Sequence, residues 1–145
     1  MVRIVTWEEY ASALNKLYQQ VATRRFDDIV AIGRGGCIVA AFLASKLGVP
    51  AFRPVFIRHV GRGEEMKIVT HDIGQIKSAT GRLLIVDDWL CEGRAMKYLL
   101  DLMPRDAVIS TAVAFNRTGS EFKPDFVGAY VEKSEREILF PYDPV

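Results

Sequence analysis

With 145 residues, half of them apolar and about a quarter charged, the chain can bury roughly two thirds of the surface its unfolded form exposes, which favours a folded globule of one domain, residues 1–145, over disorder. Its net charge of +1 argues against nucleic-acid binding by bulk electrostatics. No apolar run approaches the roughly 20 residues that span a bilayer, and Met1 to Glu8 lacks the pattern of a signal peptide. With only Cys37, Cys91, His59 and His71 and no metal-ligand spacing among them, a cytoplasmic protein without membrane, disulfide scaffold or zinc site is expected.

In chain order, Thr6 followed by Glu9 reads as a capping box. Behind it Trp7, Tyr10, Ala11, Leu14, Leu17, Tyr18 and Val21 recur at helical spacing, predicting a helix from about Trp7 to Arg24. Ile29 to Ile32 is short and uniformly apolar, as strands buried on both faces are. It runs into Gly33-Arg34-Gly35-Gly36, after which the alanine-rich Cys37 to Leu47 predicts a helix closed by Gly48 and Pro50. Ala51 to Val60 reads as a strand, Gly61 to Lys67 as a polar, glycine-punctuated loop, and Ile68 to Thr70 as a short strand. Leu83 to Val86 is a strand that stops at Asp87-Asp88, and a helix from about Arg94 to Met103 ends at Pro104. Ala107 to Phe115 and Phe126 to Val131 are further strands. A strand, loop and helix occurring twice predicts an α/β fold, an open, largely parallel twisted sheet with helices on its faces. In such sheets ligands bind beyond the carboxyl ends of the strands, where both distinctive loops fall.

Two groups of residues can carry chemistry. Glycines at 33, 35 and 36 let backbone N–H groups approach an anion ahead of a helix N-terminus, and Arg34 can add charge-assisted hydrogen bonds. A plain tight turn is the alternative. A dinucleotide fingerprint fails because its third glycine position holds Ile38, and no P-loop lysine is present. The Asp87-Asp88 pair can accept hydrogen bonds from vicinal ribose hydroxyls or lie near Mg²⁺, a hard cation that takes oxygen ligands. A solvated acidic turn is the alternative.

Val30 to Gly36, continuing through Leu43-Ala44-Ser45-Lys46-Leu47-Gly48, resembles the pyrophosphate loop and following helix of xanthine-guanine-hypoxanthine phosphoribosyltransferases. Leu84 to Asp88 with Gly93 resembles their PRPP signature, and Ile138-Leu139-Phe140-Pro141-Tyr142-Asp143 their purine-site segment. Thr6-Trp7 has a counterpart in archaeal-type members. The resemblance runs over nearly the whole chain. It implies the type I phosphoribosyltransferase fold, Mg²⁺ as cofactor, a homodimer, and transfer of a phosphoribosyl group from PRPP to a purine with release of pyrophosphate. By position, Arg34, Gly35 and Gly36 would hold pyrophosphate and Asp87 and Asp88 the ribose hydroxyls and metal. The loop through Cys91, Glu92, Gly93, Arg94 and Ala95 would cradle the 5-phosphate, with Glu92 counted beside the acidic pair among the catalytic positions. Val60 to Lys67 would be a lid.

The chain also departs from that pattern. Cys91 stands where the resemblance implies an acid that serves the base, and Glu92 and Ala95 replace two phosphate-binding threonines. Glu92 is expected to repel a phosphate unless it turns away or pairs with Arg94. In the purine site, Glu137, next to Ile138, replaces a stacking tryptophan, and Asn116 or Arg117 occupies the place of a lysine that reads the purine oxygen. Phe140 and Tyr142 suit a core or a dimer interface as well as a base stack. Two functions compete: a PRPP-dependent transferase, and a regulatory protein of the same fold that binds a nucleotide or PRPP without turnover. A receiver-like signalling domain is weaker, because its acids follow an early strand.

Overall fold

The computed structural model describes residues 2–60, 65–68, 76 and 79–144. The continuous apolar runs of the sequence become the centre of a five-stranded, wholly parallel sheet, because only strands covered on both faces can be apolar throughout. Its strands, in spatial order, are β3 (Arg53–Val55), β2 (Asp28–Ile32), β6 (Arg82–Leu90), β7 (Val108–Arg117) and β8 (Phe126–Val131). Ile29, Val30 and Leu83 to Val86 are completely buried.

Helices α1 (Trp7–Val21) and α2 (Gly33–Leu47) cover one face, packing on Leu84, Val86, Ala112 and Ala114. Helix α3 (Arg94–Leu102) covers the other, where Met96 and Leu99 meet Leu83, Ile85 and Val113. Side chains that alternate along β6 thus serve two cores. The capping box is present: the Glu9 N–H donates to Thr6 Oγ1 at 3.1 Å. Helix α1 ends at Val21, a turn earlier than its periodicity predicts, and buries Ala13 rather than Ala11.

Two small sheets flank the main one. β1 (Val2–Ile4) pairs in parallel with β9 (Glu137–Leu139), aligning Val2 with Glu137 and Ile4 with Leu139. β4 (Ile57–Val60) pairs antiparallel with β5 (Glu65–Ile68). The single strand expected over Ala51 to Val60 is therefore two, divided at Phe56 between different sheets. Of the expected lid and the strand after it, 61–64 and 69–70 lie outside the described residues. Among the described residues no helix is long and apolar enough to cross a membrane.

Candidate functional site

The strongest correction to the sequence reading concerns β6, which does not stop at the acidic pair. It continues to Leu90, held by β7 through Asp87 opposite Val113, Trp89 opposite Phe115 and Leu90 opposite Asn116. The pair therefore sits within the last turns of a strand, and the alternation of that strand aims the two acids differently. Asp88 follows Leu84 and Val86 toward α2, whereas Asp87 lines a cavity in front of α3. The carboxyls remain close enough to feel each other. Burial first, then the Asp88 charge, pushes the Asp87 carboxyl well above its ordinary pKa, and Asp87 Oδ1 accepts the Asp88 N–H at 2.8 Å.

On the α2 side the glycine stretch is not a loop before the helix but its first turn, which begins at Gly33 with φ of 68°. Gly35 has a specific reason to be glycine: a Cβ there would overlap the Asp88 carboxylate. Asp88 Oδ2 in turn accepts a hydrogen bond of 2.7 Å from the Tyr142 hydroxyl. Tyr142 is fixed by stacking on Phe140 at 5.3 Å and meeting Tyr10 edge-on at 5.4 Å. Burial and the Asp88 charge push its phenol pKa up, so it stays a donor, and burial carries Tyr10 up to about 12. Tyr142 thus belongs to the acidic pair, a role that sequence alone does not signal. Arg34 is exposed beside this turn.

On the α3 side an open cavity of about 400 Å³ is lined by Asp87, Trp89, Leu90, Cys91, Glu92, Gly93, Arg94, Ala95, Met96 and Arg136. The loop from Cys91 to Gly93 is pinned from beneath. The Phe122 N–H donates to Glu92 O at 3.1 Å, and Arg117 Nε to Cys91 O at 3.3 Å. Asn116 Nδ2 donates to Leu90 O at 3.1 Å and to Ser120 Oγ at 2.9 Å. Gly93, at φ of 91°, is pressed against Phe122, where a Cβ would collide. Neither α2 nor α3 has a side-chain cap at its N-terminus. The first-turn N–H groups of both, at the carboxyl edge of the sheet, are thus capped by no side chain, an arrangement that suits anions.

Glu92 lines this cavity and forms an ion pair with Arg117, while Arg136 stands at 3.5 Å from the same Oε1. Arg117 is 3% exposed and also donates to Lys133 O at 3.1 Å. Asn116 and Arg117, read from the sequence as base-contacting candidates, are thus buried under the loop with their donors used internally. Glu137 is exposed at the start of β9, and Ile138 packs against the core. Phe140 is a core residue. Arg136 was missed altogether, since one arginine in a charged turn carries no sequence signal.

Comparisons with known proteins agree with this fold. The phosphoribosyl transferase domain family matches residues 6–143. A xanthine-guanine phosphoribosyltransferase of Idiomarina loihiensis is 27% identical over 143 residues, covering 96% of this chain and 85% of the relative. Among solved structures, a purine phosphoribosyltransferase from Pyrococcus horikoshii superposes with a TM-score of 0.80 at 25% identity, covering 99% of this chain and 95% of the other. A hypothetical protein from Neisseria gonorrhoeae with bound ppGpp gives 0.79 at 23% identity, covering 100% and 90%.

Proposed function

The chain belongs to the phosphoribosyl transferase domain family, and we propose that it transfers a phosphoribosyl group from PRPP to a 6-oxopurine base with release of pyrophosphate. One observation carries this reading: Glu92, the residue that would repel a 5-phosphate, is held in an ion pair by Arg117. The uncapped terminus of α3 is left to receive that phosphate. In the proposed mechanism the bond from ribose C1 to the pyrophosphate oxygen breaks as a base nitrogen bonds to C1 and gives up its proton to water. Gly33 to Gly36 and Arg34 take the departing pyrophosphate at the uncapped start of α2, where charge-assisted hydrogen bonds are strongest. Asp87 and Asp88 accept the ribose hydroxyls, and Tyr142 holds Asp88 in place.

The acidic pair also fits Mg²⁺, and for a reason internal to the site. Burial first, and the adjoining Asp88 charge second, raise the proton affinity of Asp87, and a bound cation would offset both by favouring the ionised carboxyls. Among the described residues no cluster of three metal-ligating side chains exists. Mg²⁺ takes one or two carboxylates and the rest of its oxygens from substrate phosphates and water. Bound there, Mg²⁺ would neutralise charge on the pyrophosphate. A homodimer is part of the proposal, supported by Val2, Ile4, Trp7 and Leu139, large apolar side chains exposed around the β1–β9 pair.

A second reading has its own support. The loop from Cys91 to Ala95 offers a phosphate no hydroxyl, which favours a regulatory protein that binds a nucleotide or PRPP without turnover. Incubation with PRPP, Mg²⁺ and a panel of purines separates the two. Pyrophosphate and nucleotide appearing together establish the transferase. Calorimetric binding of PRPP without product establishes the regulator.

A further inference from the structure

Charge around Glu92 does not balance. One carboxylate lies between two guanidinium groups, Arg117 in ion-pair contact and Arg136 at 3.5 Å, so these three groups together carry one net positive charge, beside the Asp87 and Arg94 side chains that line the same cavity. Arg117 is 3% exposed and also donates to Cys91 O and Lys133 O, so it is closed off from a ligand. The excess therefore resides on Arg136, whose side chain is 61% exposed and which lines the cavity in front of α3. The same cavity is walled by the half-buried ring of Trp89, which is packed against the core and offers a planar apolar surface. A flat wall beside a surplus guanidinium suits a planar ring whose edge carries negative charge or paired acceptors, because a guanidinium meets such an edge with two parallel donors.

We propose that Arg136 is a specificity-determining residue that selects, for the ring seated at Trp89, an anionic or acceptor-rich edge over a neutral or donor-bearing one. This rests on the transferase reading for the kind of ring but not for the contact itself. Glu92 keeps Arg136 near the cavity mouth without neutralising it, since Arg117 already satisfies that carboxylate. The basic group facing the ligand is then supplied from the turn before β9, not from the end of β7, where Asn116 and Arg117 are buried.

The test compares xanthine, which ionises near neutral pH, with hypoxanthine and adenine. Binding is read from the tryptophan fluorescence of the wild type, Arg136→Gln and Arg136→Lys in the presence of PRPP and Mg²⁺, with turnover assayed in parallel. The wild type should prefer xanthine, increasingly as pH rises through its ionisation. Arg136→Gln should lose about tenfold or more of that preference, as loss of one charge-assisted contact requires. Arg136→Lys should retain part of it, and the melting temperature should hold in both variants because the side chain is exposed. Turnover with an unchanged preference in Arg136→Gln overturns the role of Arg136 and leaves the transferase standing. Base discrimination that Arg136→Gln abolishes, without turnover in the wild type, does the reverse. No base binding at all overturns both.

Discussion

Replacing Glu92 by glutamine keeps the shape of the side chain and removes its charge, leaving the guanidinium of Arg117 buried with neutral acceptors alone, the carbonyls of Cys91 and Lys133 and the new amide oxygen. Breaking a buried ion pair from one side costs about 3 to 5 kcal/mol. The lower end applies here, because Glu92 is 27% exposed whereas Arg117 is 3% exposed, and exposure admits water to part of the pair. A loss of about 3 kcal/mol in unfolding free energy is expected, measured by urea denaturation. The assay becomes specific as a double-mutant cycle. Arg117→Met should also destabilise, but in the double variant the two losses should add to less than their sum by about 2 kcal/mol, since both remove the same pair. Sequence reasoning alone expects relief of repulsion, and hence tighter PRPP binding, when Glu92 becomes threonine. The structure reverses that sign, because such a change frees a buried cation and loosens the loop. Stability of Glu92→Gln within about 0.5 kcal/mol of wild type, the range of ordinary surface substitutions, would refute the pairing.

Tyr142→Phe retains the ring stack and removes one hydrogen bond to a carboxylate. It should weaken ribose 5-phosphate or PRPP binding by about 1.5 to 3 kcal/mol in calorimetry, and should have no further effect in an Asp88→Asn background. Gly35→Ala should displace the Asp88 carboxylate and break the same hydrogen bond, so combining it with Tyr142→Phe should cost little more than either alone; full additivity would separate the two contacts. Asp87 gives a pH prediction: its folded-state pKa lies above the unfolded one, so the folded state binds more protons between them, and stability falls as pH rises through that window. Asp87→Asn should therefore stabilise the metal-free protein at neutral pH and lose this advantage below about pH 3.8, the ordinary value of the group. A thermal-melt series showing a constant difference across that range would count against it.

The parts of the fold that were legible are those whose information is local. β2, the run into α2, and α3 announce themselves by apolar runs and helical spacing, and Thr6 with Glu9 marks a helix start. What escaped depends on partners distant in sequence. Asp87, Asp88 and Trp89 look like the end of a strand, yet backbone bonding to β7 carries β6 past them. Arg117 looks like a surface charge that could read a ligand, until its partners prove to be Glu92, Cys91 and Lys133. The acidic pair and Gly35, which the sequence marks separately, meet at one edge of the sheet. Their internal wiring was not legible, because Tyr142 and Asp88 are separated by 54 positions, and nothing near either residue in the sequence encodes the other.

The pairing of β1 with β9 carries a kinetic consequence. Parallel partners at Val2 and Glu137 close nearly the whole chain into a loop, an entropic cost that precedes any reward from the contact, so this clasp should be added late in folding. With three residues in each strand it should also be among the first elements to open locally. The turn that delivers Tyr142 follows directly after β9, so each opening would slacken the hold on Asp88. Hydrogen exchange at the Val5 amide, which donates to Leu139 O at 2.9 Å, should then run faster than in β2 or β6 and slow when a ligand engages the acidic edge. Breathing of the clasp would set how long that edge stays organised between encounters.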